Sequence, residues 1–273
     1  MVSFSPCKIN IGLCITGKRA DGYHNLETVF YPVPVHEALE MLPAGNQLQF
    51  TQTGIPLPGQ PDANLCVKAW RLLKTHFPQL PDGLHMHLHK AIPAGAGLGA
   101  GSANAAHTLL LANKLFGLAL STQTLLNLAL ELGSDCPIFI ENAPCFAQGR
   151  GEILEPLPPF LKGHWLVLVN PGIHVSTAWA FSQIIPAPPA INLAEAVMQP
   201  INHWPHLIYN QFENPVIAQW PPVGAIKQAL LNQGALYAAM SGSGSTVYGI
   251  FKEQPTLPPQ LFESQYWVRQ VRL

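Results

Sequence analysis

The chain has 273 residues, enough for one large domain or two ordinary ones. Fourteen lysines and arginines against fifteen aspartates and glutamates leave a formal net charge of -1, which argues against broad binding of nucleic acid or anionic membranes. Apolar residues make up 48% of the chain, so we expect a packed core and not a disordered polymer. Five scattered cysteines without a C-x-x-C pair, no secretory signal and no membrane-spanning apolar run together predict a protein of the reducing cytoplasm.

The amino-terminal residues have the pattern of two paired strands. Apolar residues alternate over residues 8–16, which predicts a half-buried strand, and a turn at Asp21–Gly22 leads to a second extended run at residues 28–35. We therefore expect a β-hairpin. Residues 12–18 also fit the phosphate-loop pattern G-x-x-x-x-G-K, but Arg19 replaces the magnesium-binding Ser or Thr and the glycines lie in the strand, so we reject that motif.

A helix and another strand are predicted next. Apolar residues recur at helical spacing over residues 64–77, with Asn64 as the N-cap. Alternation over residues 83–93 predicts a strand that ends at Pro93. His85, His87 and His89 share one face of that strand, as a metal site or as a wet polar face; we favour the polar face because no cysteine or carboxylate lies close in sequence.

The stretch IPAGAGLGAGSANAAHTLLL, residues 92–111, places four glycines immediately before a helix that we expect to begin after Ser102. N–H groups at a helix start, together with the helix dipole, form a phosphate site. A plain tight turn is the alternative for this loop.

Two charged residues stand out as chemical candidates. Asp135 follows a helix over residues 125–132 that ends at Gly133, and it is either a general base or a cap of the next turn. Lys8 interrupts an apolar strand, and it is either a functional cation or a solvated edge residue.

The second half of the chain mixes helices and strands. Prolines and a glycine over residues 155–163 mark the expected domain boundary, which gives domains 1–158 and 159–273. Beyond it we predict an α+β sandwich with a strand at 164–170, helices at 176–185, 214–220 and 225–232, and strands at 235–239, 246–251 and 266–271. The segment MSGSGS between two of these strands is a hairpin or a second anion cradle.

Four segments in this order, SPCKINIGLCITGKRADGYHNLET, IPAGAGLGAGSANAA, LGSDCPIF and MSGSGSTVYGIF, make the chain resemble the GHMP small-molecule kinases. The resemblance implies a two-domain α+β fold, with an amino-terminal domain like ribosomal protein S5 domain 2 and a ferredoxin-like carboxyl-terminal α/β sandwich. It also implies ATP and Mg²⁺ as cofactors and a small alcohol as acceptor. The segment GKRADGYHNLET narrows the acceptor to a cytidine diphosphate-linked methylerythritol, phosphorylated on its 2-hydroxyl on the way to isoprenoid precursors.

The resemblance also implies roles for individual residues. Lys8 and Asp135 match the catalytic pair of the family, and no side chain is assigned as a resident metal ligand. The nucleotide-binding positions fall on Asn64, Leu65, Lys90, Pro93, Gly95, Gly97, Leu98, Gly99, Gly101 and Ser102. The substrate-binding positions fall on Asn10, Tyr23, His24, Thr177, Phe181, Gly242, Ser243 and Gly244.

The chain departs from the family pattern in two places. Ala100 and Ala103 replace a glycine and a serine of the loop, and Ala100 adds a methyl group where φ would have to be positive. Gln211 replaces an aspartate after Asn210. Two alternatives remain open at this point: another GHMP kinase, acting on homoserine, mevalonate or a sugar, and a catalytically inactive nucleotide-binding or RNA-contacting module.

Overall fold

A computed structural model of the protein describes residues 1–57 and 59–273, which form two compact units. The first unit comprises Met1–Cys7, Val35–Ala94 and Gly99–Asn142, and the second comprises Lys8–Pro34, Gly95–Leu98 and Ala143–Leu273. The division into residues 1–158 and 159–273, which rests on the prolines and the glycine of residues 155–163, stays a prediction.

The strands, in chain order, are β1 (Val2–Lys18), β2 (His24–Pro43), β3 (Leu48–Gly54), β4 (Leu84–Lys90), β5 (Cys145–Gln148), β6 (Ile153–Pro156), β7 (Trp165–Asn170), β8 (Tyr237–Met240), β9 (Val247–Phe251) and β10 (Trp267–Arg272). The helices are α1 (Leu65–His76), α2 (Ala100–Leu115), α3 (Thr122–Leu132), α4 (Ile138–Glu141), α5 (Thr177–Ser182), α6 (Leu193–Ala196), α7 (Trp204–Leu207), α8 (Glu213–Gln219) and α9 (Pro221–Asn232). Over the residues that the structure describes, no helix is both long and apolar enough to cross a membrane. All five cysteines are described, and none of them forms a disulfide.

In the first unit, β4 is paired on both sides. It runs antiparallel to residues 38–43 of β2 and parallel to β3. Leu84, Met86 and Leu88 are buried on one face, where they share a core with α1, α2 and α3. The predicted alternation of β4 is therefore confirmed, and it brings the chain to the glycine loop at a fixed place.

The three histidines occupy the other face of β4. The His87 ring forms hydrogen bonds with the hydroxyls of Thr51 and Thr53 on β3, at 2.8 and 3.0 Å, and the His89 ring contacts Thr53 at 3.0 Å. Among the described residues, no group of three or more His, Cys, Asp or Glu side chains is arranged to hold a metal ion. These bonds support the interpretation of this face as polar surface.

Local signals explain the helix ends. The Asn64 side chain caps α1 and accepts a hydrogen bond from Cys66 N at 2.9 Å, and α3 ends at Gly133, both as predicted. Helix α2 begins at Ala100 and not after Ser102. The reason is Gly99, whose left-handed backbone at φ +67° turns the chain into the helix three residues earlier than we expected.

The second unit contains an antiparallel sheet with the order β10-β7-β9-β8. β8 and β9 form a hairpin in which Met240 is opposite Val247, so the hairpin interpretation of MSGSGS is confirmed. Helix α9 packs against these two strands, and its Val223, Ile226 and Leu230 are buried in the core of the unit. β1 pairs with β2, which confirms the predicted amino-terminal hairpin and the rejection of a phosphate loop at residues 12–18.

Candidate active site

The glycine loop connects β4 to α2. Gly95, Gly97 and Gly99 have φ values of +62°, +77° and +67°, which residues with a side chain rarely adopt. Gly99 is the N-cap residue of α2 and offers no side chain to the N–H groups of the first turn. These N–H groups and the positive end of the helix dipole therefore suit an anion such as a phosphate.

Ala100 fits this loop without strain. It is the first residue of α2 and is 6% exposed, and in the described part of the chain the non-glycine residues with positive φ are Ala119 and Asn142. Our expectation that Ala100 needs a positive φ is therefore wrong, because the left-handed turn is made one residue earlier, at Gly99.

The loop of the β8–β9 hairpin lies against the middle of the glycine loop. Ser241 Oγ donates a hydrogen bond to Gly97 O at 2.7 Å, and Thr246 N donates one to Ala96 O at 3.2 Å. A Cβ atom on Gly97 would lie 2.1 Å from Ser241 O, far inside van der Waals contact. This position therefore requires glycine both for its φ and for the space around its Cα.

Asn210 holds the hairpin loop in shape, a role that we did not predict. Its Nδ2 donates to Met240 O at 2.9 Å and to Gly242 O at 2.8 Å, while its Oδ1 accepts a hydrogen bond from Phe212 N at 3.0 Å. The sequence signal was the Asn210–Gln211 pair, which we had noted only as a departure from the family.

Gln211 has an equally definite structural role. Its Oε1 accepts a hydrogen bond from Ile15 N on β1 at 2.6 Å. A carboxylate at this position offers the same kind of acceptor. The glutamine therefore retains the hydrogen bond without the charge.

Lys8 is buried, so the alternative in which this lysine is a solvated residue at a strand edge is wrong. The residue is 3% exposed, its Nζ donates to Asn10 Oδ1 at 2.5 Å, and its ammonium lies 4.7 Å from the centre of the Phe30 ring. Asn10 Nδ2 donates in turn to Thr28 Oγ1 at 3.0 Å, and the main-chain N–H of Asn10 donates to Ser241 Oγ at 3.1 Å. A buried ammonium needs partners of this kind, because its desolvation is costly.

Asp135 lies in the turn between α3 and α4, with its side chain half-buried. The N-cap residue of α4 is Pro137, and both interpretations of Asp135, as a general base and as a cap of this turn, stay predictions. Burial raises the pKa of the neighbouring Cys136 thiol to about 12, and a hydrogen bond with the Ser102 side chain opposes this rise. The contact brings Ser102, in the first turn of α2, next to the residue that follows Asp135.

Three of the predicted substrate residues are aromatic or heteroaromatic. The His24 ring is stacked on Phe181, with centroids 4.8 Å apart and an interplanar angle of 26°. Tyr23 is 57% exposed, and the Arg150 guanidinium lies 5.1 Å from the centre of its ring. An exposed tyrosine beside a stacked pair can accept a further flat ring such as a nucleobase.

The other predicted substrate residues lie near the hairpin loop. Thr177 Oγ1 and Ser243 Oγ are 3.3 Å apart, and a Cβ on Gly242 would lie 3.3 Å from Asn10 Oδ1. Gly244, the last of these residues, has a φ of +98° in the same loop.

Predicted nucleotide residues lie at the start of α1 and at the end of β4. Leu65 begins α1, and its Cδ1 would lie 3.5 Å from a Cβ built on Gly101. Lys90, at the end of β4, is 2% exposed and forms a 2.7 Å ion pair with Glu37, so its ammonium is held inside the first unit. Glu37 is a second residue that our sequence reasoning missed.

Two family models match the chain. The model described as GHMP kinases N terminal domain matches residues 64–143, and the one described as GHMP kinases C terminal matches residues 193–258. The first range includes the glycine loop and Asp135, and the second includes Asn210 and the hairpin loop.

Individual proteins match over nearly the whole chain. The chain is 48% identical to the 4-diphosphocytidyl-2-C-methyl-D-erythritol kinase of Bacteroides thetaiotaomicron, over 94% of each protein. A crystal structure of 4-(cytidine 5'-diphospho)-2C-methyl-D-erythritol kinase matches with a TM-score of 0.76 and 30% identity, and the match covers 92% of this chain and 90% of that one. A mevalonate kinase structure from Methanococcus jannaschii has a TM-score of 0.73 over 100% and 98% of the two chains, but at 12% identity it shows a shared fold alone.

The glycine loop, the two family models and these relatives lead to one conclusion. The chain belongs to the GHMP kinase superfamily and, within it, to the family of the 4-diphosphocytidyl-2-C-methyl-D-erythritol kinases.

Proposed function

We propose that this chain transfers the γ-phosphoryl group of ATP to the 2-hydroxyl of 4-diphosphocytidyl-2-C-methyl-D-erythritol, giving the 2-phosphate and ADP. The observation that carries the proposal is the packing of α2, which follows the glycine loop, against α3 and α4, the two helices that are joined by the turn containing Asp135. A triphosphate on the α2 amides would then have a carboxylate close to its γ-phosphoryl end. The identity of the acceptor is supported by the relatives whose names contain this substrate.

The route is that of isoprenoid precursor synthesis from methylerythritol phosphate, and the proposed location is the cytoplasm. The absence of a disulfide among the five cysteines, all of them described, supports a reducing compartment.

The main chain is the principal ligand of ATP in this proposal. Residues 93–102 hold the triphosphate through N–H groups, and Asn64 and Leu65 lie near the adenine. Phosphoryl transfer requires mainly positioning and neutralisation of charge, which a rigid cradle of N–H groups supplies. The positive φ of the loop glycines supports this role, since it turns backbone groups toward a ligand.

The acceptor hydroxyl is activated by two side chains. Asp135 accepts its proton as a general base, and the Lys8 ammonium stabilises negative charge on the attacking oxygen. The buried setting of Lys8 supports this role, because an ammonium with little water around it interacts more strongly with a nearby anion.

Mg²⁺ neutralises the charge that develops on the phosphate oxygens when it is bound with ATP. It prefers oxygen ligands, retains several waters and needs few protein groups besides the phosphates. Ser102 and Asp135 are oxygen donors in one unit and fit such an ion. No larger group of His, Cys, Asp or Glu ligands exists among residues 1–57 and 59–273, so the phosphates and water would complete its coordination.

The cytidine end of the acceptor is recognised by the aromatic residues. Tyr23 and Phe181 stack on the cytosine ring and His24 contacts its polar edge, which requires the His24 ring to leave the face of Phe181 that it covers in this structure. Asn10, Thr177 and residues 242–244 contact the rest of the molecule.

The proposed reaction predicts a preference for the acceptor. ADP release, measured with coupling enzymes, should depend on 4-diphosphocytidyl-2-C-methyl-D-erythritol and should be at background level with homoserine, mevalonate or a free sugar. ADP release with one of those alcohols and none with the cytidyl compound would refute the proposal. Nucleotide binding without ADP release in any mixture would favour an inactive binding module.

The general-base role predicts a loss of turnover in Asp135→Asn. We expect kcat to fall by about 10² to 10⁴-fold, the usual contribution of a general base, while the Kd of ATP changes little. Steady-state kinetics and calorimetric titration of nucleotide measure the two effects. Asp82→Asn is the control, because it makes the same change at an exposed ion pair in the same unit. A kcat near that of the wild type would exclude Asp135 as the base.

The stacking role predicts that Tyr23→Ala raises the KM of the cytidyl acceptor. A stacked base contributes about 1–3 kcal/mol, which corresponds to a rise of roughly 5- to 150-fold. Tyr23→Phe retains the ring and should stay within about twofold of wild type by the same argument. The proposed cytosine site is wrong if the alanine and phenylalanine variants give equal KM values.

A further inference from the structure

A buried ion pair lies inside the first unit, where Lys90 stands three residues before Pro93 at the start of the glycine loop. Glu37 on β2 is 1% exposed and Lys90 on β4 is 2% exposed, and Lys90 Nζ donates to Glu37 Oε2 at 2.7 Å. Such a pair usually adds little to stability, because desolvation of the two charges offsets their attraction. Its presence in the core therefore needs a reason other than stability.

The Glu37 carboxylate accepts hydrogen bonds from four donors. Oε1 accepts from Ala91 N at 3.2 Å and from Ile92 N at 2.9 Å. Oε2 accepts from Asn104 Nδ2 at 2.6 Å and from Lys90 Nζ. The Asn104 side chain is fixed at its other end, where Oδ1 accepts from Ser5 Oγ at 2.5 Å.

These donors lie on both flanks of the glycine loop. Ala91 and Ile92 are the last residues before Pro93, where the loop begins, and Asn104 lies in the second turn of α2, just after it. A chain rich in glycine loses more conformational entropy on ordering than other sequences do, so its ends must be fixed by groups outside it. The Glu37 carboxylate supplies these fixed ends, because it accepts hydrogen bonds from residues on both sides of the loop.

We propose that Glu37 is a positioning residue for nucleotide binding: its carboxylate fixes the distance between the two ends of the glycine loop, and Lys90 is its counter-ion. This inference rests on the proposed binding of ATP by the loop. In this proposal the Lys90 ammonium pairs with Glu37 and does not contact ATP. Lys90 therefore affects nucleotide binding only through Glu37.

The first test compares Glu37→Gln with Glu40→Gln. Glutamine has the size of glutamate but replaces one acceptor oxygen with an NH₂ group, which cannot accept from Asn104 or Lys90. Calorimetric titration with a non-hydrolysable ATP analogue and Mg²⁺ should give a Kd about tenfold higher for Glu37→Gln, the loss expected for a hydrogen bond to a charged group. Glu40→Gln makes the same change on the same strand, outside this network, and should keep the wild-type Kd. Equal Kd values in the two variants would overturn the proposal.

The second test separates positioning from stability. Lys90→Met leaves a buried carboxylate without its cation and should lower the melting temperature sharply. The double variant Glu37→Gln with Lys90→Met removes both charges, so its melting temperature should rise again toward wild type. Its Kd for the ATP analogue should remain about tenfold high, because Asn104 still lacks its charged acceptor. If both the melting temperature and the Kd returned to their wild-type values, the ion pair would have a role in stability alone, and the proposal would be overturned.

The same measurements distinguish this inference from the proposed function. Wild-type protein that binds the ATP analogue but releases no ADP with the cytidyl acceptor would refute the proposed acceptor alone. Normal ADP release together with an unchanged Kd in Glu37→Gln would refute the positioning role alone. A wild-type protein that does not bind the analogue would refute both.

Discussion

The nucleotide site depends on one constraint, the close approach of two main-chain segments of this protein at Gly97 and Ser241. The Cα of Gly97 lies so near the Ser241 carbonyl that any side chain would overlap it, and the Ser241 hydroxyl bonds back to the Gly97 carbonyl. This contact fixes the middle of a loop whose glycines would otherwise allow many conformations. Backbone N–H groups can act as a preorganised phosphate site only if such contacts hold them in place.

Buried polar side chains support the site in each unit. In the second unit, Lys8 is held by Asn10, and Asn10 by Thr28 and Ser241. In the first unit, Glu37 collects four donors around the flanks of the loop. Because an unsatisfied buried polar group is costly, each network tolerates few arrangements. The networks therefore define geometry more than they add stability.

Local sequence patterns were enough to predict the elements next to the site. The Asn64 cap, the alternation of β4, the end of α3 at Gly133 and the β8–β9 hairpin each depend on residues close together in the chain, and each is present. Strand β3 was not predicted, because its apolar side chains are limited to Leu48 and Phe50 and its parallel partner lies well downstream. The start of α2 lies three residues before the predicted one, because the left-handed backbone of Gly99, which no local sequence pattern reveals, makes this glycine the N-cap of the helix.

Long-range polar contacts could not be predicted from one sequence. The partners of Glu37 are 53 to 67 residues away, and those of Asn210 in the hairpin loop are 30 and 32 residues away. A glutamate on a strand or an asparagine before a helix has no periodicity that reveals such partners. The burial of Lys8 has the same origin, since it depends on Phe30 from another strand. The motifs in the sequence identify the residues with known chemistry, such as Lys8 and Asp135. The residues that hold such side chains in place can be identified only from the folded structure.

The most direct test of the main-chain nucleotide site is the effect of Gly97→Ala on kcat/KM for ATP, compared with Gly117→Ala. Both glycines have positive φ, at +77° and +60°, but a Cβ on Gly117 meets no atom within 4 Å, so this control isolates the cost of the backbone conformation from that of the overlap. The account predicts that Gly97→Ala lowers kcat/KM by roughly 10²-fold, the scale of a displacement of about 1 Å in a catalytic site, while Gly117→Ala stays within about twofold of wild type. Folded Gly97→Ala protein with the same kcat/KM as Gly117→Ala would contradict it.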